Sequence, residues 1–283
     1  MSRFGLHFGS VMVAFGLIAI GATASAQQNT VPDLASTEFG WQLQGGIDFR
    51  PIPGAVPPIS FDPAYPQRGE GNQRGVMERM SDAENPNLKP WAQQVSRKYN
   101  DDVLNGHRAF SSQSRCWPGG TPGQLLFPAE PIYFVQTPKE VWIFWQRQQE
   151  VRRIYLDVPH SRNPKPSWFG ESVGHYENGE LVVDTVGFLD KHEFDFVDNW
   201  RTPHTKDMHV IERFKIIDGG KTLQATVTVD DPGTFNKPWS GTVRWQKRDQ
   251  PMLESVCAEN NVAFEQFFNL MEYPMPEAKR ADF

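Results

Sequence analysis

A tight turn at Asn178-Gly179 is the feature that most constrains how this chain can fold. Asn-Gly suits a two-residue β-hairpin turn, because both residues adopt positive φ at low cost. The residues on either side alternate between apolar and polar, which is the period of a strand with one buried face. Segments 173–177 and 180–188 are therefore predicted to be antiparallel strands that pair about this turn.

The same two-residue period recurs from residue 132 onward. Six further segments show it, and short connections separate most neighbours: 132–136, 141–147, 151–157, 209–217, 222–230 and 241–247. Short connections between neighbouring strands indicate antiparallel pairing. About eight such strands predict a mainly β fold, either an up-and-down barrel or a strongly curved, lipocalin-like sheet. A two-sheet sandwich is the alternative.

The segments that flank these strands differ in composition. Residues 27–128 are rich in Pro and Gly, and we expect an extended arm plus one helix over 89–104, packed on a β domain of residues 129–283. The tail 260–271 is predicted to be a helix that covers a barrel end or a sheet edge. Its apolar residues recur at helical spacing: Phe264, Phe267, Phe268 and Met271.

Residues 1–26 have the form of a secretory signal peptide. Arg3 precedes an apolar run over 11–20, and Ala24-Ser25-Ala26 matches a cleavage site. The apolar run is too short to span a bilayer comfortably. We therefore expect a periplasmic or secreted protein that begins at Gln27. In that oxidising compartment Cys116 and Cys257 are predicted to form a disulfide, with a reactive thiol as the alternative.

The composition excludes some classes of partner. A net charge of −6 argues against nucleic acid and against an anionic membrane surface. The chain has no Gly-rich phosphate loop and no dinucleotide fingerprint, so no nucleotide cofactor is predicted. Aromatic residues make up 12% of the chain, with nine Trp, and they are concentrated in the predicted β region. Such a surplus favours a hydrophobic or aromatic small molecule as partner.

Several short motifs occur in a fixed order between residues 88 and 261. They are Phe134-Val135-Gln136-Thr137-Pro138, Arg153-Ile154-Tyr155-Leu156-Asp157, the segment 170–188, Pro203-His204-Thr205, His209-Val210-Ile211-Glu212-Arg213-Phe214, Asp230-Asp231-Pro232, Pro238-Trp239 and Cys257-Ala258-Glu259-Asn260-Asn261. In these motifs the chain resembles a large group of exported bacterial proteins, common in soil proteobacteria and acidobacteria, that mostly carry no assigned function. The resemblance implies a secreted, largely β domain and brings no activity. Many members of that group have His after the last cysteine, where this chain has Ala258.

The predicted hairpin offers a candidate catalytic pair. Pairing about Asn178-Gly179 places His175 and Asp184 on one face as diagonal neighbours. A carboxylate that fixes the tautomer of a histidine makes that histidine a general base. Tyr155 and His204 are assigned to the same catalytic site as groups that polarise the substrate. A structural hydrogen bond within the sheet is the alternative interpretation of the pair.

Further polar residues are candidates for substrate binding. Glu212 falls on the apolar face of its strand and needs a cationic partner, for which Arg153 and Arg152 are the candidates. We assign Arg153, Glu212, His209 and Trp168 to substrate binding. The residues His175, His204, His209 and Glu212 could also ligate a metal, but none has a recognisable ligand spacing, so no metal site is predicted.

Ser172 lies in a Gly-x-Ser-x-Gly pattern that is typical of hydrolase nucleophiles. That motif requires a strand before the serine and a helix after it, whereas here a Pro-rich stretch precedes it and a hairpin follows. The leading hypothesis is therefore an exported, cofactor-independent enzyme that catalyses proton transfer, of lyase, dehydratase or isomerase type. A lipocalin-like small-molecule binding protein is the alternative, and a serine hydrolase using Ser172 is the lesser one.

Overall fold

The computed structural model describes residues 1, 30–36, 38–65, 79–107, 112, 116–190 and 195–257. The strands in chain order are β1 (Gly40–Gln44), β2 (Arg50–Pro51), β3 (Ile132–Gln136), β4 (Glu140–Trp145), β5 (Glu150–Leu156), β6 (Glu171–Glu177), β7 (Glu180–Val186), β8 (His209–Ile217), β9 (Thr222–Asp230) and β10 (Trp239–Arg248). One α-helix, α1 (Pro90–Leu104), and three short 3-10 helices, Gly123–Leu126, Arg147–Gln149 and Asp218–Gly220, complete the described elements.

Nine of these strands close into a barrel. The order around it is β1, β3, β4, β5, β6, β7, β8, β9 and β10, and β10 pairs again with β1. Every pairing is antiparallel except that of β5 with β6, which is parallel. The prediction of a mainly β fold with a barrel is confirmed, and the two-sheet sandwich is wrong.

The strand that closes the barrel was not predicted. β1 lies in the Pro- and Gly-rich stretch that we expected to be an extended arm, and it pairs with β10 from Gly40↔Arg248 to Gln44↔Arg244. Its Trp41 side chain is buried in the core. A single short strand with one large inward residue carries little periodic signal, and only its distant partner makes it part of a sheet.

Aromatic side chains fill the interior of the barrel. Trp145, Trp245, Phe134 and Phe214 are fully buried on inward positions of four different strands. The Phe134 and Phe214 rings lie 5.8 Å apart, and the Phe214 and Trp245 rings lie 6.4 Å apart. Much of the aromatic surplus therefore packs the core of the protein.

The helix and the disulfide attach the rest of the chain to the barrel. The helix predicted over 89–104 is confirmed as α1, with Pro90 in its first turn, and Trp91 Nε1 donates to the Gly233 carbonyl at 2.7 Å. Cys116 and Cys257 are bonded, with their Cα atoms 5.5 Å apart, as predicted. Among the described residues no helix is long and apolar enough to cross a membrane. The predicted signal peptide and C-terminal helix lie outside the described residues.

Candidate functional site

Four ionisable side chains meet on the outer face of the barrel, and we call them the acid–base cluster: His160, Glu171, Asp184 and His209. Glu171 begins β6, Asp184 lies in β7, and His209 begins β8. His160 comes from the connection between β5 and β6. Three neighbouring strands and one long loop therefore build the site.

Strand alternation directs three of these side chains outward. Glu171 and Asp184 alternate with the buried residues Ser172 and Thr185. Asp184 pairs with Ile211, so His209 lies diagonally across from it on the same face. The register that buries one set of residues inside the barrel necessarily exposes the other set as a neighbouring group.

The parallel pairing of β5 with β6 explains why His160 lies next to Asp184. Parallel neighbours need a crossover that carries the chain back along the sheet, and residues 157–170 form it here. The amide of Ser161 donates to Glu171 Oε1 at 2.7 Å, and Ser167 bridges to Phe188. The crossover thus runs along the outer side of the hairpin and lays His160 beside Asp184.

Asp184 is the centre of the acid–base cluster. Its Oδ1 atom lies 2.8 Å from His209 Nε2 and 2.9 Å from His160 Nε2. His160 Nδ1 in turn lies 3.2 Å from Glu171 Oε1. An ionised carboxylate only accepts, so an imidazole nitrogen that hydrogen-bonds to it donates its proton.

These contacts give the two histidines different chemistry. When Asp184 accepts the Nε2 proton of His209, the Nδ1 atom of a neutral His209 ring carries the lone pair, and this atom has no hydrogen-bond partner among the described residues. The His209 side chain is 41% exposed, so a solute can reach it. This is the arrangement of a general base with an orienting carboxylate.

Glu171 is the second carboxylate of the acid–base cluster, and it contacts His160. Burial disfavours the ionised form of Glu171, but hydrogen bonds from Ser161 and His160 outweigh burial and lower the pKa of this carboxyl. Glu171 is therefore an anion at neutral pH and accepts a hydrogen bond from the Ser161 amide. Of the two imidazoles, His209 is the more exposed, at 41% against 23% for His160, so it is the ring that a bound molecule can reach to exchange a proton.

The predicted His175–Asp184 pair is not formed. His175 is exposed on the outer face of β6, opposite Val182, and among the described residues it has no hydrogen bond to Asp184. The diagonal position that the hairpin predicted is correct, but the carboxylate turns the other way, towards His209 and His160. His209, which we had assigned to substrate binding, takes the place predicted for His175.

His204 and Tyr155 do not share a pocket with that pair, so the prediction of one common pocket is wrong. Tyr155 is on the outer face of β5, where it is 38% exposed. His204 is fully buried, with its Nε2 atom 3.4 Å from Asp195 Oδ2 and its Nδ1 donating to the Thr205 carbonyl at 3.0 Å. Burial disfavours the imidazolium, but the Asp195 carboxylate and the Thr205 carbonyl outweigh it and raise the pKa of His204.

The cationic partner of Glu212 is Arg152, and Arg153 is not involved. Arg152 Nη1 and Nη2 donate to the two Glu212 oxygens at 2.9 and 2.5 Å inside the barrel. The same guanidinium donates to Ser172 Oγ at 3.0 Å and to Thr185 Oγ1 at 2.8 Å. Ser172 is thus a buried strand residue that Arg152 engages.

The last two predicted binding residues also lie elsewhere. Arg153 is bound to Glu140 on the outer face, and its guanidinium lies 4.7 Å from the Tyr155 ring centroid. Trp168, at the end of the crossover, is half-buried with its ring 6.0 Å from that of Trp117. Glu212 belongs to the interior network, so of the predicted site residues only Asp184 and His209 enter the acid–base cluster.

The geometry of the described residues bears on two other kinds of site, a metal site and a ligand cleft. Within the described ranges, no three His, Cys, Asp or Glu residues are arranged to hold a metal ion. A cleft of about 400 Å³ opens at the barrel end that carries the Asn178-Gly179 turn, and its lining includes Phe39, Ile216 and Lys247. This cleft shares no residue with the acid–base cluster.

Sequence reasoning missed His160 and Glu171. Glu171 could have been found, because hairpin register places it opposite Val186, on the face of Asp184. No local signal marks His160, since its position depends on the parallel return of the crossover. The chain matches no protein-family model, and neither curated proteins nor solved structures contain a match to it.

Proposed function

We propose that this protein is an exported, cofactor-independent enzyme that catalyses proton transfer on a hydrophobic or aromatic small molecule. The reaction would be of lyase, dehydratase or isomerase type. The observation that carries the proposal is the contact of Asp184 Oδ1 with the Nε2 atoms of both His209 and His160. It leaves one imidazole nitrogen, His209 Nδ1, as an accessible proton acceptor.

The proposed reaction begins with proton abstraction by His209. Its Nδ1 atom takes a proton from carbon or oxygen of the substrate, and the ring becomes an imidazolium that Asp184 stabilises. Asp184 and Glu171 engage both ring nitrogens of His160, so this ring orients the carboxylate and does not compete for the substrate proton. Return of the proton from His209 to another substrate atom completes an isomerisation, and its transfer to a leaving hydroxyl completes a dehydration.

The surroundings of Asp184 favour an apolar substrate. Val173 and Ile211 are its direct cross-strand neighbours on the outer face, and both are partly exposed. Tyr155 pairs with Val173 from the next strand and extends the same row. A planar molecule that rests on these side chains would present its polar end to His209. The disulfide supports the periplasm or the cell exterior as the compartment.

The test is turnover of a panel of aromatic and terpenoid metabolites by the mature protein, followed by mass spectrometry. His209→Gln should reduce turnover of any hit by about a hundredfold or more, the usual contribution of a general base. Asp184→Asn should cost about tenfold or more, because it removes the orienting acceptor. His175→Gln is the matched control on the same face, and its turnover should stay within about threefold of the parent.

Two outcomes would contradict this assignment of roles. If His175→Gln abolishes turnover and His209→Gln does not, the general base is His175 and the assignment to His209 is wrong. If turnover requires an added divalent metal and is lost on chelation, Asp184 Oδ1 and the Nε2 atoms of His160 and His209 act as metal ligands. Their contacts would then not be the hydrogen bonds that the proposal requires.

A small-molecule binding protein is the second candidate, and the cleft at the barrel end favours it. Phe39 and Ile216 supply apolar lining, and Lys247 lies over the Phe39 ring at 3.7 Å from its centroid. A lipocalin-like protein would bind its ligand there and release it unchanged. Binding without turnover, weakened by Phe39→Ala and unaffected by His209→Gln, would support this candidate over the enzyme.

A further inference from the structure

Nine residues of the crossover, 158–166, lie on the outside of the barrel with little apolar packing against it. Seven of the nine are exposed, among them Val158 at 49%, and only His160 and Pro164 are partly buried. Pro164 packs closely on Gly187, where an added Cβ would lie 2.7 Å from the proline ring. A surface segment with so few buried apolar contacts opens at a low cost in free energy.

The hydrogen bonds that join this segment to the rest of the described chain all end on the acid–base cluster. The Ser161 amide donates to Glu171 Oε1 at 2.7 Å. His160 Nδ1 lies 3.2 Å from the same oxygen, and His160 Nε2 lies 2.9 Å from Asp184 Oδ1. Two carboxylates of the proposed site therefore hold the whole segment against the sheet.

Both ends of the segment are fixed to the sheet, and its interior is stiff. The Asp157 amide donates to the Gly174 carbonyl at 2.8 Å, and the Ser167 amide donates to the Gly187 carbonyl at 3.2 Å. Asp157 has a φ of 55°, a left-handed conformation that side chains rarely adopt and that is common at switch regions. Three of the nine residues are prolines, which fix φ: Pro159, Pro164 and Pro166. The segment should therefore swing as one unit about its two ends.

The segment also crosses the surface proposed for the substrate. It starts beside Gly174 and reaches Glu171 at Ser161, so it runs along the outer side of β6 past Val173. Val173 is the cross-strand neighbour of Asp184. A molecule that rests on Val173 therefore has to share this space with the closed segment.

We infer that residues 158–166 form a flap over the acid–base cluster and that His160 is its latch. Opening of the flap uncovers Val173 and Asp184, and closure returns His160 to the two carboxylates and shields them from water. His160 is a positioning residue, because it acts through Asp184. As a device that controls access to the site the flap rests on the proposed function, but its opening is measured without turnover.

Amide hydrogen exchange of the full oxidised protein, resolved by NMR, tests the latch. In the parent, the Ser161 amide should exchange more slowly than the Arg162 amide, which has no acceptor among the described residues. His160→Phe keeps a ring and removes both nitrogens. It should speed exchange at Ser161 by about tenfold or more, although the bond from Ser161 to Glu171 is left in place. His175→Phe, on the outer face of β6, is the matched control and should leave the rate within about twofold.

Three results of this experiment would overturn the inference. Equal exchange at Ser161 and Arg162 in the parent would show that the flap is not latched. An unchanged rate at Ser161 in His160→Phe would show that the contacts of the segment are independent of one another. Equally accelerated exchange at Asp157 would show that the sheet itself has opened.

Trypsin provides a second measure of opening. Arg162 is the one site in the flap that trypsin cleaves readily, because Lys165 precedes Pro166. Proteolysis follows the population of the open form, so cleavage after Arg162 should be about tenfold faster in His160→Phe than in the parent and unchanged in His175→Phe. Equal rates in all three proteins would overturn the inference.

The flap and the proposed enzyme fail separately in these tests. If turnover depends on His209 but neither rate responds to His160→Phe, the enzyme stands and the flap is wrong. If both rates respond and no metabolite is turned over, the flap stands and the enzyme loses its support.

Discussion

The buried pair of Arg152 and Glu212 provides a quantitative test of the fold. Both side chains lie inside the barrel, at 2% and 0% exposure. Arg152 makes two bonds to Glu212 and one each to Ser172 and Thr185, so one guanidinium ties β5 to β6, β7 and β8. We consider the single replacements Glu212→Met and Arg152→Met, and the double replacement.

The expected cost follows from what each replacement leaves behind. Glu212→Met leaves a guanidinium in the interior with only two hydroxyl acceptors, and uncompensated buried charges of this kind cost about 3–5 kcal/mol. Arg152→Met leaves the Glu212 carboxylate without its donor, with a cost in the same range. The double replacement removes both charges and keeps roughly the same volume, so its loss of stability should be much smaller than the sum of the two single losses.

The assay is equilibrium urea unfolding of the oxidised protein, with the slope m compared among variants. Arg97 Nε and Glu84 Oε1, 2.5 Å apart at the surface, provide the control pair, and Arg97→Met should have a much smaller effect. If the single interior replacements are no worse than the surface control, the interior pair is not formed. If the double variant loses the sum of the two single losses, the residues do not act as a pair.

Three further predictions follow from individual residues. Ser172→Ala should keep turnover within about threefold, far from the thousandfold loss of a nucleophile, and labelling of Ser172 by a fluorophosphonate would contradict its structural role. His204 has a raised pKa in the folded protein, so its contribution to stability is complete below about pH 6.5, the unfolded value, and is lost as pH rises through the folded pKa. Asp195→Asn should flatten that decline in urea midpoint, and identical pH slopes in parent and variant would refute it. Replacing both Cys116 and Cys257 by Ser should cost up to about 4–5 kcal/mol, because the bond closes a loop with a sequence separation of 141; an unchanged midpoint would show that the closed loop contributes nothing.

The elements that the sequence predicted correctly are those determined by residues near one another in the chain. The Asn178-Gly179 turn gave the correct register of β6 and β7, because two residues of defined conformation determine every pair beyond them. The strands on either side followed from their alternation of buried and exposed residues. The prediction of the disulfide rested on the expected compartment and on there being only two cysteines.

The histidine partners of Asp184 and the closure of the barrel depend on contacts between residues far apart in sequence, and the sequence did not predict them. Asp184 had two imidazoles within diagonal reach, His175 and His209, and hairpin register alone does not distinguish them. His160, carried in by the crossover, lies on the side of His209 and draws the carboxylate there. Closure of the barrel by β1 depends likewise on pairing across two hundred positions of sequence. Neither contact leaves a periodic trace near the residue concerned.

The tautomer of His209 is the most direct test of the proposed site. Nitrogen-15 correlation spectra of the protein, recorded where the His209 ring is neutral, report which nitrogen carries the proton, and His209→Gln assigns the signals. The contact of Nε2 with Asp184 Oδ1 at 2.8 Å predicts a proton on Nε2 and a lone pair on Nδ1. In Asp184→Asn this preference should weaken. A proton on Nδ1 in the parent protein would leave no base facing the substrate and would contradict the proposed function.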